Sequence, residues 1–139
     1  MRTSLSLIAV LFAVAMAATA CTPRVVQVIT GSDRAAGADG RVVVERGDGG
    51  NFSVEVEAQN LLPPARLGEG LTTYVVWFQA PESQPTRMGV LDYDEGDRSG
   101  EMSATTTHTA FDVIISGEAE ATVPAPSDLV VFRTTIQAP

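Results

Sequence analysis

The stretch Gly47-Asp48-Gly49-Gly50-Asn51-Phe52-Ser53-Val54-Glu55-Val56-Glu57-Ala58 decides the fold. Apolar and polar side chains alternate in its second part, as in a strand with one face in a core and the other in water. Its first part is rich in Gly, Asp and Asn, which readily adopt the positive φ angles of a hairpin loop. Residues 41–46, Arg-Val-Val-Val-Glu-Arg, come just before the loop. The sequence therefore predicts a β-hairpin here.

The rest of the chain after residue 24 also indicates short strands separated by Pro- and Gly-rich turns. No window sustains a helical apolar period over twelve residues. Seven or eight such strands predict a single all-β sandwich over residues 25–139, with residues 32–40 as a flexible spacer or a long first loop. The further predicted strands are Val25–Thr30, Thr72–Gln79, Met88–Tyr93, Glu101–Thr107, Ala110–Ser116 and Leu129–Gln137.

The same alternation predicts which side chains face the core. The run Tyr74-Val75-Val76-Trp77-Phe78 is apolar on both faces, which indicates a central strand covered on both sides. On the strands that alternate, the residues expected to face inward are Phe52, Val54, Val56, Phe111, Val113, Ile115, Val130 and Phe132.

The first twenty residues have the pattern of an export signal. Arg2 precedes twelve uninterrupted apolar residues, 7–18, which is too short a run for a helix that spans a bilayer. The segment ends Ala-Thr-Ala-Cys21, which resembles the lipobox of bacterial lipoproteins. The resemblance implies a signal over residues 1–20, a diacylated Cys21 as the new N-terminus, and a short linker over 21–24. In a cell with two membranes, Thr22 after that Cys would favour the outer one. The alternative is ordinary signal cleavage before Cys21, which would leave Cys21 as a free thiol.

The amino-acid composition excludes several classes of function. The chain has 17 acidic residues, nine arginines and no lysine, for a net charge of −8, with one Cys and one His. Without lysine there is no Schiff base and no phosphate-loop lysine. One Cys and one His cannot form a usual zinc site, and the acidic charge disfavours nucleic acid as a partner. We therefore predict neither a cofactor nor a nucleic-acid partner.

The densest acidic segment, residues 92–97, is the candidate metal site. Asp92, Asp94 and Asp97 surround a Gly and could supply several of the six to eight oxygens that calcium prefers. The spacing does not match an EF-hand. The alternative, which we favour, is a solvated hairpin loop whose charge prevents pairing with neighbouring sheets.

Two further sets of residues could suggest catalysis. His108 lies in a polar stretch between two strands, with no nucleophile or orienting carboxylate nearby in sequence. Glu55 and Glu57 lie two residues apart on one strand face, which suggests a pair of carboxylates of the kind that glycosidases use. A surface His and a solvated strand face explain both patterns, so we predict no enzyme activity.

The order of features resembles a known family. A strand at Gly40–Val44 comes first, and Leu61-Leu62-Pro63-Pro64 and Tyr74-Val75-Val76-Trp77, which follow it, carry most of the likeness. They resemble the extracytoplasmic C-terminal domain of anti-sigma-K-type regulators, which implies an immunoglobulin-like sandwich outside the cytoplasm. The sigma-binding domain and membrane helix of those regulators have no counterpart in this sequence.

These observations predict an exported, lipid-anchored, non-catalytic binding or structural module of the bacterial cell envelope. Its partners would be a membrane, through Cys21, and an envelope protein or small ligand that the sequence does not identify. The alternatives are an extracytoplasmic sensor or accessory component of an anti-sigma-type system, a metal-binding lipoprotein, and a carboxylate-based hydrolase.

Overall fold

A computed structural model describes residues 21–139, and in this part of the chain two antiparallel sheets pack face to face. The predicted all-β sandwich is confirmed. The nine strands are β1 (Arg24–Thr30), β2 (Asp39–Arg46), β3 (Phe52–Gln59), β4 (Thr73–Gln79), β5 (Thr86–Val90), β6 (Asp92–Asp94), β7 (Ser99–Thr106), β8 (Ala110–Glu118) and β9 (Val130–Gln137). One sheet has the order β1-β2-β3-β7-β6 and the other β5-β4-β8-β9.

The helical content is small. One turn of α-helix, α1 (Pro64–Leu67), and two short 3-10 turns, Asp33–Ala35 and Asp48–Gly50, are the helical elements of the described residues. None of these helices is long and apolar enough to cross a membrane. The predicted export signal, residues 1–20, lies outside the described residues.

The structure has one strand more than predicted, because residues 88–93 do not form a single strand. They divide between β5 in one sheet and β6 in the other. Leu91 joins them, is almost fully buried, and donates its N–H to the Tyr74 carbonyl at 2.9 Å. The chain therefore changes sheets at Leu91, as strands do at the corners of sandwiches.

The main core lies between the sheets and contains seven of the eight residues predicted to face inward. The prediction was wrong for Val130, which is half-buried on the opposite face of its sheet. The register shifts here, since Ile115 faces Phe132 whereas Ser116 faces Val130. The extra residue, Val131, is buried in Val130's place. The seven confirmed residues are Phe52, Val54, Val56, Phe111, Val113, Ile115 and Phe132.

A second, smaller core covers the other face of β4, so the prediction that this strand is covered on both sides is confirmed. Val75, Trp77 and Ile114 are buried there, with Val123 packed against them from the loop that follows β8. Glu118 holds this loop in place, because its carboxylate accepts hydrogen bonds from Ser116 Oγ at 2.6 Å and from the Ser127 N–H at 2.7 Å.

Residues 32–38 form a first loop that packs on the sandwich, as one of the two predicted alternatives has it, and residues 39 and 40 already belong to β2. Ala35 and Ala38 are buried in the main core. Ser32 fastens the loop to β9 twice, through its N–H to the Val131 carbonyl at 2.9 Å and its Oγ to the Val130 carbonyl at 2.8 Å. Small apolar side chains and these hydrogen bonds explain why the Ala- and Gly-rich segment is ordered.

Candidate functional site

Cys21, the predicted lipidation site, is exposed and unpaired at the start of the described chain. The Pro23 carbonyl already accepts a hydrogen bond from the Arg46 N–H at 3.4 Å, and β1 begins at Arg24. Only Cys21 and Thr22 therefore precede the first backbone contact with the sandwich. At about 3.5 Å per residue they place the thiol within roughly 10 Å of the folded domain.

Cys21 defines one end of the sandwich, here called the anchor end. The 47–51 hairpin loop, the loop after β4 (residues 80–85) and the turn 107–109 lie at this end, because Phe52 pairs with Thr106 in the sheet register. The loops at residues 31–38, 60–72, 95–98 and 119–129 lie at the opposite end, here called the far end.

Charge is distributed unequally between the two ends. Following the strand registers, the half of the sandwich toward the far end holds twelve acidic residues and four arginines, and the anchor half holds five acidic residues and four arginines. The far half carries eight net negative charges and the anchor half only one. The far-half acids are Asp33, Asp39, Glu57, Glu69, Asp92, Asp94, Glu95, Asp97, Glu101, Glu118, Glu120 and Asp128.

The anchor end contains a cleft of about 420 Å³, between residues 105–108, at the end of β7 and in the turn after it, and the strands β4 and β5. Its walls carry hydroxyl and amide groups, among them Asn51, Ser83 and Gln84, over the apolar Phe78 and Met88. None of the lining side chains is acidic, Lys or Arg. Such a surface suits a small neutral polar ligand, since nothing in it balances an ionic charge.

His108 lies at the edge of this anchor-end cleft, exposed to solvent, and its backbone N–H donates to Thr106 Oγ1 at 3.1 Å. A His that acts as a general base is oriented by a carboxylate or another acceptor on its ring. The cleft supplies no carboxylate for that role. Its lining therefore favours the interpretation of His108 as a surface residue.

A second hollow, of about 390 Å³, lies on the outer face of the five-stranded sheet and contains a row of carboxylates. Strand pairing sets Glu57 beside Glu101 and Glu101 beside Asp92. Arg41 bridges only the first of them, with 3.1 Å from its Nη1 to Glu57 Oε2. Adjacent like charges destabilise the sheet. A glycosidase acid lies in an apolar environment, whereas Asp92 and Glu101 are exposed.

The three calcium candidates lie close in sequence but are not grouped as ligands. Asp92 and Asp94 lie on the outer side of β6, and Asp94 Oδ1 accepts the Asp97 N–H at 2.8 Å, which closes the turn. Among residues 21–139 no three His, Cys, Asp or Glu side chains form a group that could hold a metal ion. The hydrogen bond favours the hairpin-turn interpretation, and calcium binding stays a prediction to be tested.

No known protein family, curated protein or solved structure matches this chain. The likeness to anti-sigma-K-type regulators therefore stays a prediction, which rests on the order of features over residues 25–136 and chiefly on residues 61–64 and 74–77. What the chain binds must be argued from its own surfaces.

One exposed apolar surface is not predictable from the sequence pattern. β1 forms an edge of the five-stranded sheet, and its outer face exposes Val26 by 47% and Val28 by 67%. The only sequence signal is the run Val25–Thr30, which has no charged residue. That signal identifies a strand but not its place in the sheet, so the exposure of these valines depends on the strand order.

Proposed function

We propose that this protein is an exported, lipid-anchored, non-catalytic binding module of the bacterial cell envelope. The observation that carries the proposal is the position of Cys21, which is exposed, unpaired and two residues from the first contact with the sandwich. Diacylation of that thiol would hold a rigid domain directly at a membrane surface. Since stable anchoring needs more than one acyl chain, a lipoprotein-type modification is the chemistry that fits.

The anchor-end cleft is the proposed binding surface. Its lining of hydroxyl and amide groups favours a small neutral ligand, and its lack of a charged side chain disfavours acid–base catalysis. The sensor or accessory role in an anti-sigma-type system rests on the resemblance alone. A carboxylate-based hydrolase would need one of the exposed acids near Asp92 to lie in an apolar pocket.

The proposal is tested by expressing the full chain in a bacterium that processes lipoproteins. We expect an intact mass that corresponds to residues 21–139 with a diacylglyceryl group on Cys21, and recovery in the detergent phase of a membrane extract. Cys21→Ser is the matched control, because residue 21 makes no contact with the core. It should fold with the same melting temperature and partition into the aqueous phase.

Two results would overturn the proposal. One is an unmodified Cys21 thiol in the wild-type protein, and the other is full-length product with residues 1–20 attached in the cytosolic fraction. Catalytic turnover that is lost in Glu101→Gln or Asp92→Asn, with folding unchanged, would instead contradict the non-catalytic part.

A further inference from the structure

The outward edge of β1 has free backbone hydrogen-bonding groups. On its inward side, the Pro23 carbonyl accepts from the Arg46 N–H at 3.4 Å and the Gly31 N–H donates to the Ala38 carbonyl at 2.8 Å. In an antiparallel pair the backbone groups of successive residues point alternately toward and away from the partner. Odd-numbered residues of β1 therefore face β2. The N–H and C=O groups of Arg24, Val26, Val28 and Thr30 point away, and no other strand of the described residues pairs with them. The Val28 carbonyl accepts only the exposed Gln27 side chain, through Nε2 at 3.1 Å, which a pairing strand would displace.

Between Arg24 and Thr30 the side chains of this edge carry no charge, and four of the five are apolar. The same residues whose backbone groups are free include Val26 and Val28, which are exposed on the outer face. No acid occurs from residue 21 to 32, and Glu45 on β2 is neutralised by Arg24, with 3.6 Å between Nε and Oε1. Natural edge strands are usually protected by charged side chains, Pro or bulges. β1 has none of these between Val25 and Thr30.

The sequence of β1 is nearly symmetric about Gln27. In Val25-Val26-Gln27-Val28-Ile29, two branched apolar residues stand on each side of the central Gln27. When two copies are laid antiparallel with Gln27 opposite Gln27, Val26 lies opposite Val28 of the second copy. The pairs of Val26 with Val28 and of Arg24 with Thr30 would then exchange up to eight backbone hydrogen bonds. We propose that two copies of this protein pair through β1 and join their five-stranded sheets into one.

The charge distribution favours the antiparallel arrangement. Two copies side by side in parallel would place two far halves, each with eight net negative charges, next to each other. The antiparallel pair instead sets each far half beside the anchor half of the other copy, which carries only one net negative charge. Residual repulsion is screened by salt, so association should strengthen as ionic strength rises. The two Cys21 residues then lie at opposite ends of the dimer, twelve residues or about 40 Å apart at about 3.3 Å per residue. If both are anchored in the same bilayer, the paired strands lie along the membrane surface.

Sedimentation velocity over a range of concentrations tests the pairing, with the chain from residue 21 carrying Cys21→Ser so that neither lipid nor thiol contributes. We expect a reversible monomer–dimer equilibrium, weak because two short edge strands bury little area. Val28→Pro removes a free N–H without touching the β2 ladder and should weaken the dimer at least tenfold. Val28→Thr keeps the N–H and the branched shape, and should weaken it less. Equal melting temperatures confirm that both variants fold.

Cross-linking tests the register. Gln27 opposite Gln27 is a non-hydrogen-bonded pair, whose Cα atoms lie about 4.5 Å apart, within the range of a disulfide. In the Cys21→Ser background, Gln27→Cys should form a covalent dimer on oxidation, whereas Val26→Cys, which faces Val28 of the other copy, should not. Adding Val28→Pro should abolish the Gln27→Cys cross-link.

Three outcomes would overturn the inference. They are a wild-type protein that stays monomeric at the highest concentration reached, a dimer that Val28→Pro leaves unchanged, and equal cross-linking through positions 26 and 27. A protein that stays monomeric and binds an extended peptide along β1 would also overturn the inference, as an instance of the first outcome. Because the protein tested carries Cys21→Ser, none of these results depends on the lipid anchor.

Discussion

Tyr74 and Tyr93 meet edge to face across the sandwich, with ring centroids 5.5 Å apart and an interplanar angle of 70°. Tyr74 belongs to β4 and Tyr93 to β6, so the contact joins the two sheets. Their hydroxyls donate to consecutive backbone carbonyls, Tyr74 to Leu62 at 2.5 Å and Tyr93 to Leu61 at 2.7 Å. The pair therefore fixes the crossover between β3 and β4 from both sides.

Removing the Tyr74 hydroxyl should destabilise the protein. Tyr74 is fully buried, and Tyr74→Phe leaves the Leu62 carbonyl without this donor. Such an intramolecular hydrogen bond contributes about 0.5–1.5 kcal/mol net, so we expect a loss of that size in the free energy of unfolding, measured by urea denaturation. Tyr93→Phe should cost less, since Tyr93 is only half-buried. Equal stability of wild type and Tyr74→Phe would show that the hydrogen bond contributes nothing net.

The same pair predicts a loss of stability at alkaline pH. Burial raises the pKa of Tyr74 above its ordinary value of 10.0, and the nearby Tyr93 raises it further. Burial also raises the pKa of Tyr93, which Arg98 opposes and Glu95 reinforces. A group whose pKa is higher in the folded state contributes stability below its unfolded pKa and loses it as the pH rises through the folded pKa.

The melting temperature should therefore fall above pH 10, and no lysine titrates in that range because the chain has none. Tyr74→Phe should flatten this decline, measured by melting from pH 8 to pH 12. Tyr93→Phe, with the more exposed ring, should flatten it less. A decline as steep in Tyr74→Phe as in wild type would assign it to other groups.

The features predicted correctly are those set by local alternation. Phe52, Val54 and Val56 point inward because the other face of β3 is exposed to solvent. A strand of this kind alternates apolar and polar residues, and that alternation is visible in the sequence. Val130 was placed wrongly because a single extra residue, Val131, reverses the alternation without leaving a signature in composition. Nothing in the sequence around Leu91 indicates that the chain passes from one sheet to the other there.

The candidate sites were less predictable, because they depend on which strands are neighbours. The acids at 92–97 are visible in the sequence, but the row of Glu57, Glu101 and Asp92 exists only through the registers of three strands. The buried Glu118 shows the same limit. Its burial follows from partners on β8 and in the 119–129 loop, which a linear pattern does not bring together.

Glu118 should be required for the order of the 119–129 loop. Its carboxylate accepts from Ser116 Oγ and the Ser127 N–H, and Ser116 Oγ accepts from Trp77 Nε1 at 2.8 Å. Glu118→Ala leaves the buried Ser116 hydroxyl and the Ser127 N–H without this acceptor, so we expect a cost of about 1–3 kcal/mol in the free energy of unfolding. Limited proteolysis should then cut within 119–129.

The neighbouring acid Glu120 provides the control, since it is exposed. Glu120→Ala should leave both the unfolding free energy and the proteolysis pattern unchanged. Cleavage in the loop at the same rate in Glu118→Ala and wild type would show that the apolar contact of Val123 with the small core is sufficient to hold it.

Gly100 should not tolerate a side chain. A Cβ at this position of β7 would lie 2.6 Å from Leu91 Cδ2 and 2.7 Å from its Cγ. Leu91 is buried at the point where the chain changes sheets, so it has little room to shift. We expect Gly100→Ala to cost about 1–3 kcal/mol, measured by urea denaturation. At Gly47 the nearest contact of a Cβ would be 3.4 Å, so Gly47→Ala should fold nearly as well as wild type. Equal effects of the two substitutions would contradict a steric cause.

Neutralising the middle of the carboxylate row should stabilise the protein. Glu101 lies between Glu57 and Asp92 in the sheet register, so Glu101→Gln removes two repulsive cross-strand pairs, each worth about 0.2–1 kcal/mol. The gain in melting temperature should shrink at high salt, which screens exposed charges. Glu55→Gln is the matched control, because Glu55 lies between Val43 and Ser103 and should change stability little.

The same pair of proteins tests the calcium prediction for Asp92, Asp94 and Asp97. If these carboxylates only repel one another, calcium and magnesium should shift the melting temperature of wild type equally at matched ionic strength. Both shifts should be smaller in Glu101→Gln, because there is less repulsion to screen. A shift specific to calcium, saturating at millimolar metal and lost in Asp94→Asn, would show instead that the row and its loop hold an ion. In that case Glu101→Gln should weaken calcium binding while it still stabilises the metal-free protein.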